Sequence, residues 1–379
     1  MRISIIGAGP AGLYLAYLLK RRRVDLHVRI FEQNRADATF GFGVVFSHRA
    51  LQFLEDDDPE TYAAIRPHLE SWQDIALVHR GQRIRIDGVG FAAVGRLQLL
   101  TLLQARVRSV GVEPAYECRV ASLGDLADAD LIVGADGVNS LVRRSFEHEL
   151  GTRLSWFTNR FAWFGTTKPF ETLTQTFRRT AAGYFNAHHY RYASGMSTFI
   201  VETDAATFCR AGLAETPECD AKRLCEEVFA DDLAGHPLIS NNSLWRQFPR
   251  VCNARWSHGN HVLIGDALHT AHFSIGSGTR LAMEDAIALD RALAQHPRDL
   301  GGALAAFEAA RRPVVEKLVA ASDASGEWYE HFADHMTLEP MQLAMNYITR
   351  SGRLSRERLR AISPAFVSRY EQEAVAKSA

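Results

Sequence analysis

Residues 3–32 read ISIIGAGPAGLYLAYLLKRRRVDLHVRIFE, and the reading of this stretch decides the fold. Ile3 to Ile6 is a short β-branched run cut off by a glycine turn, and Leu13, Ala16, Tyr17 and Leu19 follow at helical spacing. Leu26 to Phe31 predicts a second strand that finishes at Glu32, so the stretch is one βαβ unit and the start of a parallel sheet. Gly7, Gly9 and Gly12 of GAGPAG allow a tight turn, close approach of the backbone to a pyrophosphate, and close packing of helix on strand. Phosphate charge would meet free amides at the positive helix end. A plain glycine-rich turn has the same letters. Glu32 separates the two readings, because a carboxylate at the end of the next strand can accept hydrogen bonds from the two hydroxyls of an adenosine ribose.

Working outward, GADGVNS places Asp136 and Gly137 at the end of a buried run, Leu131 to Ala135. HVLIGDALHTAHFSIGSG places Gly265 and Asp266 at the end of another, Val262 to Ile264. Each Asp could instead cap the helix that follows. Three strand ends converging on one ligand favour a long, extended cofactor. Elsewhere the texture turns antiparallel: Ile75 to Val78 and Arg83 to Ile86 flank Arg80 and Gly81, and residues 183–202 form two β-rich runs around Ser194 and Gly195. After Gly278 helical spacing dominates to residue 325 and again beyond Pro340. The expectation is an α/β, Rossmann-like domain built from residues 1–72, 94–160 and 252–325. An antiparallel β-sheet substrate domain, residues 73–93 and 161–251, interrupts it, and residues 326–379 form a helical C-terminal region. The charged run Arg350 to Arg360 reads as a solvated helix face, with a phosphate grip as the alternative.

The 379 residues, 47% apolar and 23% charged, describe an ordinary folded chain and exclude a disordered or fibrous one. A net charge of -1 gives no overall pull toward nucleic acid or anionic membrane, and neither is expected as a partner. Cys118, Cys209, Cys219, Cys225 and Cys252 are an odd number with no Cys-x-x-Cys pair, which argues against a disulfide framework or a zinc site and for a cytoplasmic protein with reduced thiols. The basic run Lys20 to Arg23 follows the first apolar stretch instead of preceding it, so no signal peptide is read there. No apolar run reaches a membrane-spanning length.

GAGPAG with Glu32, Arg96 in GRLQLLTLL, ADLIVGADGVNSLVRR, and VLIGDALHTAHFSIGSGTRLAMEDA together resemble the single-component FAD-dependent aromatic hydroxylases, the class of 4-hydroxybenzoate hydroxylase. FAWFGTTKPF, STFIVET and HTAHFSIGSGT resemble more closely the subgroup of salicylyl-CoA 5-hydroxylase, 2-aminobenzoyl-CoA monooxygenase and the violacein-pathway hydroxylase. The resemblance implies that Gly7, Gly9, Pro10, Ala11, Gly12, Glu32 and Gln33 hold the ADP half of FAD, and that Arg96 contacts the cofactor near its pyrophosphate. Asp136 with Gly137 looks like the motif linked to both FAD and NAD(P)H. Gly265 and Asp266 would serve the ribityl and pyrophosphate region. Gly276, Gly278 and Thr279 would bring backbone amides to the flavin ring, where they can stabilise negative charge. Phe273 and Ser277 depart from the common family pattern, which has Pro and Gln there.

The implied reaction is hydroxylation of an aromatic ring by O2 through a flavin hydroperoxide, with NADPH or NADH as a transient electron donor. The substrate would be an aryl-CoA thioester, an aminobenzoyl or an indole-type metabolite. The cofactor carries the chemistry, so no catalytic triad is expected. Trp163, Phe164, Tyr190, Tyr192, His272 and Phe273 are the candidate substrate wall, with His272 the candidate proton-handling residue. A Trp-Phe pair and alternating Tyr residues also suit a sheet core. His188 and His189 rank below His272, and His269 reads as structural. No metal is expected. A monomer or homodimer consisting of the hydroxylase module alone is expected. The alternatives are a flavin halogenase or oxidase, or a binding protein without redox activity. The six Trp include no Trp-x-Trp pair of the halogenase kind.

Overall fold

A computed structural model describes residues 1–47 and 50–376; residues 377–379 of the expected C-terminal region lie outside it. The three apolar runs of the sequence share one five-stranded sheet, in the order Ser257–His258, His261–Leu263, Leu131–Gly134, Arg2–Ile6, His27–Phe31. All neighbours are parallel except the first pair, a hairpin at the edge. Helix Pro10–Arg22 starts with Pro in its first turn and ends on Lys20, Arg21 and Arg22, where cations suit the negative helix end. Its residues 11–19 are all buried, because it packs on the sheet and against helices Arg96–Ser109 and Gly278–Gln295. That explains an apolar surface on every side, where a surface helix would show a stripe.

The second sheet has seven strands, in the order Leu238–Ile239, Arg160–Thr166, Met196–Thr203, Tyr184–Ala193, Leu173–Arg179, Ile75–His79, Gln82–Ile86. Arg80 and Gly81 both have positive φ, 49° and 75°, the twist that a two-residue hairpin turn requires. The expected domain boundaries cross hydrogen-bonded ladders at three points; one of them, between residues 160 and 161, cuts Arg160 from the rest of strand Arg160–Thr166, which pairs with Met196–Thr203. Strand Phe91–Gly95 spans the boundary between residues 93 and 94, and pairs with Gly43–Ser47 and Glu70–Trp72. Strand Pro249–Asn253 spans that between 251 and 252, and pairs with Thr152–Trp156. Shared strands carry no shift in composition, so sequence texture does not mark them.

Helix Leu300–Glu330 and the helices after it cover part of one face of this sheet. Trp328, Phe332, Leu343 and Phe366 enter one core with Ile75, Leu77, Ile84 and Phe177. Under the long helix lies a polar layer. Tyr329 Oη donates to Gln175 Oε1 (3.0 Å), Gln175 Nε2 to Asn186 Oδ1 (2.7 Å), and Asn159 Nδ2 to Glu202 Oε1 (3.0 Å). Glu202 Oε2 and Asn159 Oδ1 are both buried without partners. A protonated Glu202 can satisfy both by closing a cyclic acid–amide pair. Burial pushes its carboxyl up to about 8. The folded state therefore holds a proton that the unfolded state loses above about pH 4.3. Stability falls as pH rises from that value through about 8 and then levels off. In melts between about pH 6 and about pH 9, wild type should lose several degrees more than Glu202→Gln; parallel profiles would refute the protonated pair.

Candidate active site

The sheets meet around one cavity of about 950 Å³. Its first wall is the turn after strand Arg2–Ile6. Gly7 has φ +104°, and a Cβ there would lie 2.3 Å from the Ala135 carbonyl oxygen. A Cβ on Gly12 would lie 2.0 Å from the Gly7 oxygen, so this glycine packs behind the turn and does not line the cavity. Gly9, Pro10 and Ala11 line it, and around a Cβ built on Gly9 there is open space. Glu32 and Gln33 line it from the next strand end. The Glu32 carboxylate accepts from the Ala8 amide (2.9 Å) and from the backbone (2.9 Å) and side-chain (2.7 Å) nitrogens of Asn34, which fix its direction.

Asp136 and Gly137 form the next segment of wall. Ser140, four residues on, caps helix Leu141–Ser145, while Asp136 Oδ2 accepts from the Leu141 amide (2.6 Å). Asp136 Oδ1 is buried without a partner, and burial raises the carboxyl above its usual range. One oxygen of this Asp thus serves the first turn of the helix that Ser140 caps, and the other has no partner among the described residues. Buried Arg143 ties this loop to the third strand end by donating to the carbonyls of Val138 and Ala267.

At that third end Gly265 has φ +60°, and it sits behind the lining residue Asp266. Asp285 braces the turn: its carboxylate accepts from the Gly265 amide (3.1 Å), His269 Nε2 (2.8 Å) and Arg311 Nε (3.0 Å). His269 is thus structural. Asp266 and Arg96 face the cavity together. The surrounding protein raises the Asp266 carboxyl above its ordinary range against the pull of Arg96, and lowers the Arg96 guanidinium. Among the described residues, neither side chain has a hydrogen bond or ion pair. Two opposite charges set deep in a cleft with unused hydrogen-bonding capacity fit a polar, phosphate-bearing ligand. Gly276, Gly278 and Thr279 extend the wall; Gly276 has φ +60° and would place a Cβ 3.0 Å from Val45 Cγ1.

The far end is aromatic. Strand register puts Trp163, Ile200 and His188 in one row across three strands of the large sheet, and all three line the cavity with Tyr190, Phe248 and Phe273. The Phe273 ring lies 6.2 Å from Trp163, 6.0 Å from Phe248 and 6.5 Å from His188. Tyr190 Oη donates to the Gly43 carbonyl (3.0 Å). Asn241 clasps the rim, its amide donating to the carbonyls of Thr39 (3.0 Å) and Gly41 (3.1 Å).

Three of the expected wall residues do not reach the cavity. Phe164 follows Trp163 on its strand, so the two-residue period turns it to the opposite face, into a core with Phe185, Phe199 and Phe229. Tyr192 lies at the strand end against Gly43 and Gly95. His272 is buried beside Phe157, Phe248 and Tyr329, with Nδ1 bonded to Ser274 Oγ (2.8 Å). Of the two histidines it is His188 that lines the cavity. Its ring forms part of the wall, and both ring nitrogens are buried without hydrogen-bond partners. Burial pushes it down to about 3, with the charge of Arg350 adding, so the imidazole is neutral. The strand's own alternation carried the signal: Tyr190 and His188 share a face. No group of three or more His, Cys, Asp or Glu among the described residues is placed to hold a metal ion. No helix among them is long and apolar enough to cross a membrane.

Residues 105–322 match the FAD-binding domain family, and residues 5–62 an NAD(P)-binding Rossmann-like domain. The chain is 42% identical over 381 residues to a salicyloyl-CoA 5-hydroxylase of Streptomyces sp., covering 98% of this chain and 73% of that protein. It is 34% identical to the 3-hydroxy-4-methyl-anthranilyl-[aryl-carrier protein] 5-monooxygenase of Streptosporangium sibiricum, covering 94% of this chain and 95% of the relative. It is 35% identical to the protodeoxyviolaceinate monooxygenase of Chromobacterium violaceum, covering 92% and 94%. In fold it is similar to the crystal structure of 2-methyl-3-hydroxypyridine-5-carboxylic acid oxygenase, with TM-score 0.71 at 19% identity over 95% of this chain and 96% of that one. The Pseudomonas aeruginosa PqsL structure gives 0.68 at 22%, over 89% and 100%.

Proposed function

The chain belongs to the FAD-dependent aromatic hydroxylases of the FAD-binding domain family, and from that premise we propose that its substrate is an aryl thioester bearing a ring hydroxyl or amino group, carried on coenzyme A or on a carrier protein. The enzyme is a monooxygenase that uses FAD and NAD(P)H. Bound FAD supplies electron relay from NAD(P)H and activation of O2.

The residues of the chain divide the remaining tasks. The amides of Gly9 and Ala11 and the Glu32 carboxylate would hold the ADP half; Arg96, Asp266 and Asp136 the pyrophosphate and ribityl region; Gly276 to Thr279 the ring. The polar walls of the cleft support this placement. Trp163, Phe248 and Phe273 fix a flat ring and keep water from the reacting centre. His188, neutral and with both ring nitrogens unpartnered, would accept from the ring hydroxyl or amine after a turn of its ring brings one of these buried nitrogens to the cavity surface.

One observation carries the thioester reading: the aromatic end opens at a rim of Phe40, Asn242 and Arg246, and Arg246 makes no side-chain hydrogen bond or ion pair among the described residues. A ring with an extended polar tail fits such an opening, and two of the similar proteins have names that specify thioester-borne aryl substrates. The test uses 2-hydroxybenzoyl-CoA, 2-aminobenzoyl-CoA and the matching free acids, following NAD(P)H oxidation and product mass. The thioesters should gain one oxygen atom, with kcat/KM at least about tenfold above the acids. Preference for the acids would sink the thioester reading. His188→Leu should weaken 2-hydroxybenzoyl-CoA by about tenfold, measured as KM, and leave benzoyl-CoA binding unchanged, because only the first loses a hydrogen bond. Equal losses on both would assign His188 to packing alone.

A further inference from the structure

The charged run after helix Pro340–Thr349 begins with a residue that turns inward. Arg350 Nη2 donates to the Ser274 carbonyl (2.9 Å), Nε to Ser325 Oγ (2.9 Å) and Nη1 to the Tyr347 carbonyl (2.8 Å). Its guanidinium lies 3.9 Å from the Tyr347 ring centroid and 5.6 Å from that of Tyr329. Ser325 Oγ is 2.8 Å from Ser274 Oγ, which is 2.8 Å from His272 Nδ1, and Ser322 Oγ accepts from the His272 amide. Phe273 stands between the two residues held by this network and is the one whose ring enters the cavity. The turn Phe273–Ile275 runs on into Gly276, Ser277 and Gly278, which also line it.

A cation in this position usually seeks a carboxylate, and among the described residues none lies within ion-pair range of Arg350. Its donors are spent instead on two backbone carbonyls and a serine. Arg can hold such a fork of acceptors in one plane, whereas Lys, a point charge, can reach only part of it. We infer that Arg350 is a positioning residue: it locks the Phe273 turn, and through it the glycine stretch beyond, so that the C-terminal helices set the geometry of the aromatic end. This rests on the aromatic hydroxylase reading for what the geometry does, while the restraint on the turn stands apart from it.

The test uses the FAD-loaded enzyme and its Arg350→Ala, Arg350→Lys, Phe273→Ala and doubly substituted forms. Backbone amide exchange over residues 272–278 should speed up about tenfold in Arg350→Ala while residues 7–12 are unchanged. Exchange unchanged at 272–278 overturns the inference whatever the substrate proves to be. With 2-hydroxybenzoyl-CoA as probe, peroxide released per NAD(P)H consumed should rise about threefold or more in Arg350→Ala, and Arg350→Lys should recover part of the coupling. Adding Arg350→Ala to Phe273→Ala should change that ratio by less than about twofold, because the two act as a unit. Fully multiplicative effects, or a lower melting temperature with wild-type coupling, would reduce Arg350 to a structural contact. Failure of wild type to oxidise NAD(P)H faster with any aryl probe would strike the functional reading and leave the exchange result to judge the restraint.

Discussion

Asp266→Ala is expected to lower FAD affinity by about two orders of magnitude while the protein stays folded. The carboxylate faces the cavity beside Arg96 with no hydrogen bond of its own among the described residues. Its hydrogen bonds are therefore available to the cofactor, and hydrogen bonds to a charged group contribute about 1.5–3 kcal/mol each. Its loss also leaves Arg96 deep in the cleft without the charge that offsets it. The turn itself is held by Asp285 through the Gly265 amide, His269 and Arg311, none of which the substitution touches. Circular dichroism should thus match wild type, and quenching of FAD fluorescence during titration of stripped protein should show the lost affinity. An unchanged dissociation constant would place the cofactor elsewhere.

Gly12→Ala should abolish recovery of soluble, yellow protein. The added methyl would sit 2.0 Å from the Gly7 oxygen, and Gly7 cannot retreat, since its own Cβ position is 2.3 Å from the Ala135 oxygen. Both neighbours are backbone atoms that cannot rotate away, so the overpacking cost is about 3 kcal/mol or more. Gly9→Ala separates packing from ligand approach. Gly9 has φ -75°, which any residue adopts, and nothing lies within 4 Å of a Cβ there. That variant should melt like wild type yet bind FAD more weakly, because the methyl occupies space on the phosphate side of the turn. Equal melting temperatures for Gly12→Ala and wild type would contradict the packing of helix on strand described here.

The βαβ unit was legible because its signals are local: a β-branched run, glycines at fixed spacing and a carboxylate at the next strand end. Asp136 and Asp266 were legible for the same reason, each ending an apolar run. Phe164 and His272 were misplaced for a shared reason. Adjacency in sequence does not tell which of two neighbours faces a cavity, and the strand period sends Trp163 to the cavity and Phe164 to the core on the other face of the sheet. Applied to HHYRY, the same period would have put His188 on the face of Tyr190 and favoured it over His272. Asp285, Arg311 and Arg143 were hidden because their partners are remote in the chain: Arg143 meets the Ala267 carbonyl 124 positions away. Arg350 belonged, by composition, to a solvated run, and only the packing of its helix turns it toward Ser274.

The most direct measurement is a crystal structure of the FAD-loaded protein. It should show one extended FAD molecule with its adenosine ribose on Glu32, its phosphates against the amides of Gly9 and Ala11 and beside Asp266, and its ring between Gly276 to Gly278 and the His188 row. FAD held outside this cleft, or Glu32 and Asp266 engaging separate molecules, would contradict the account.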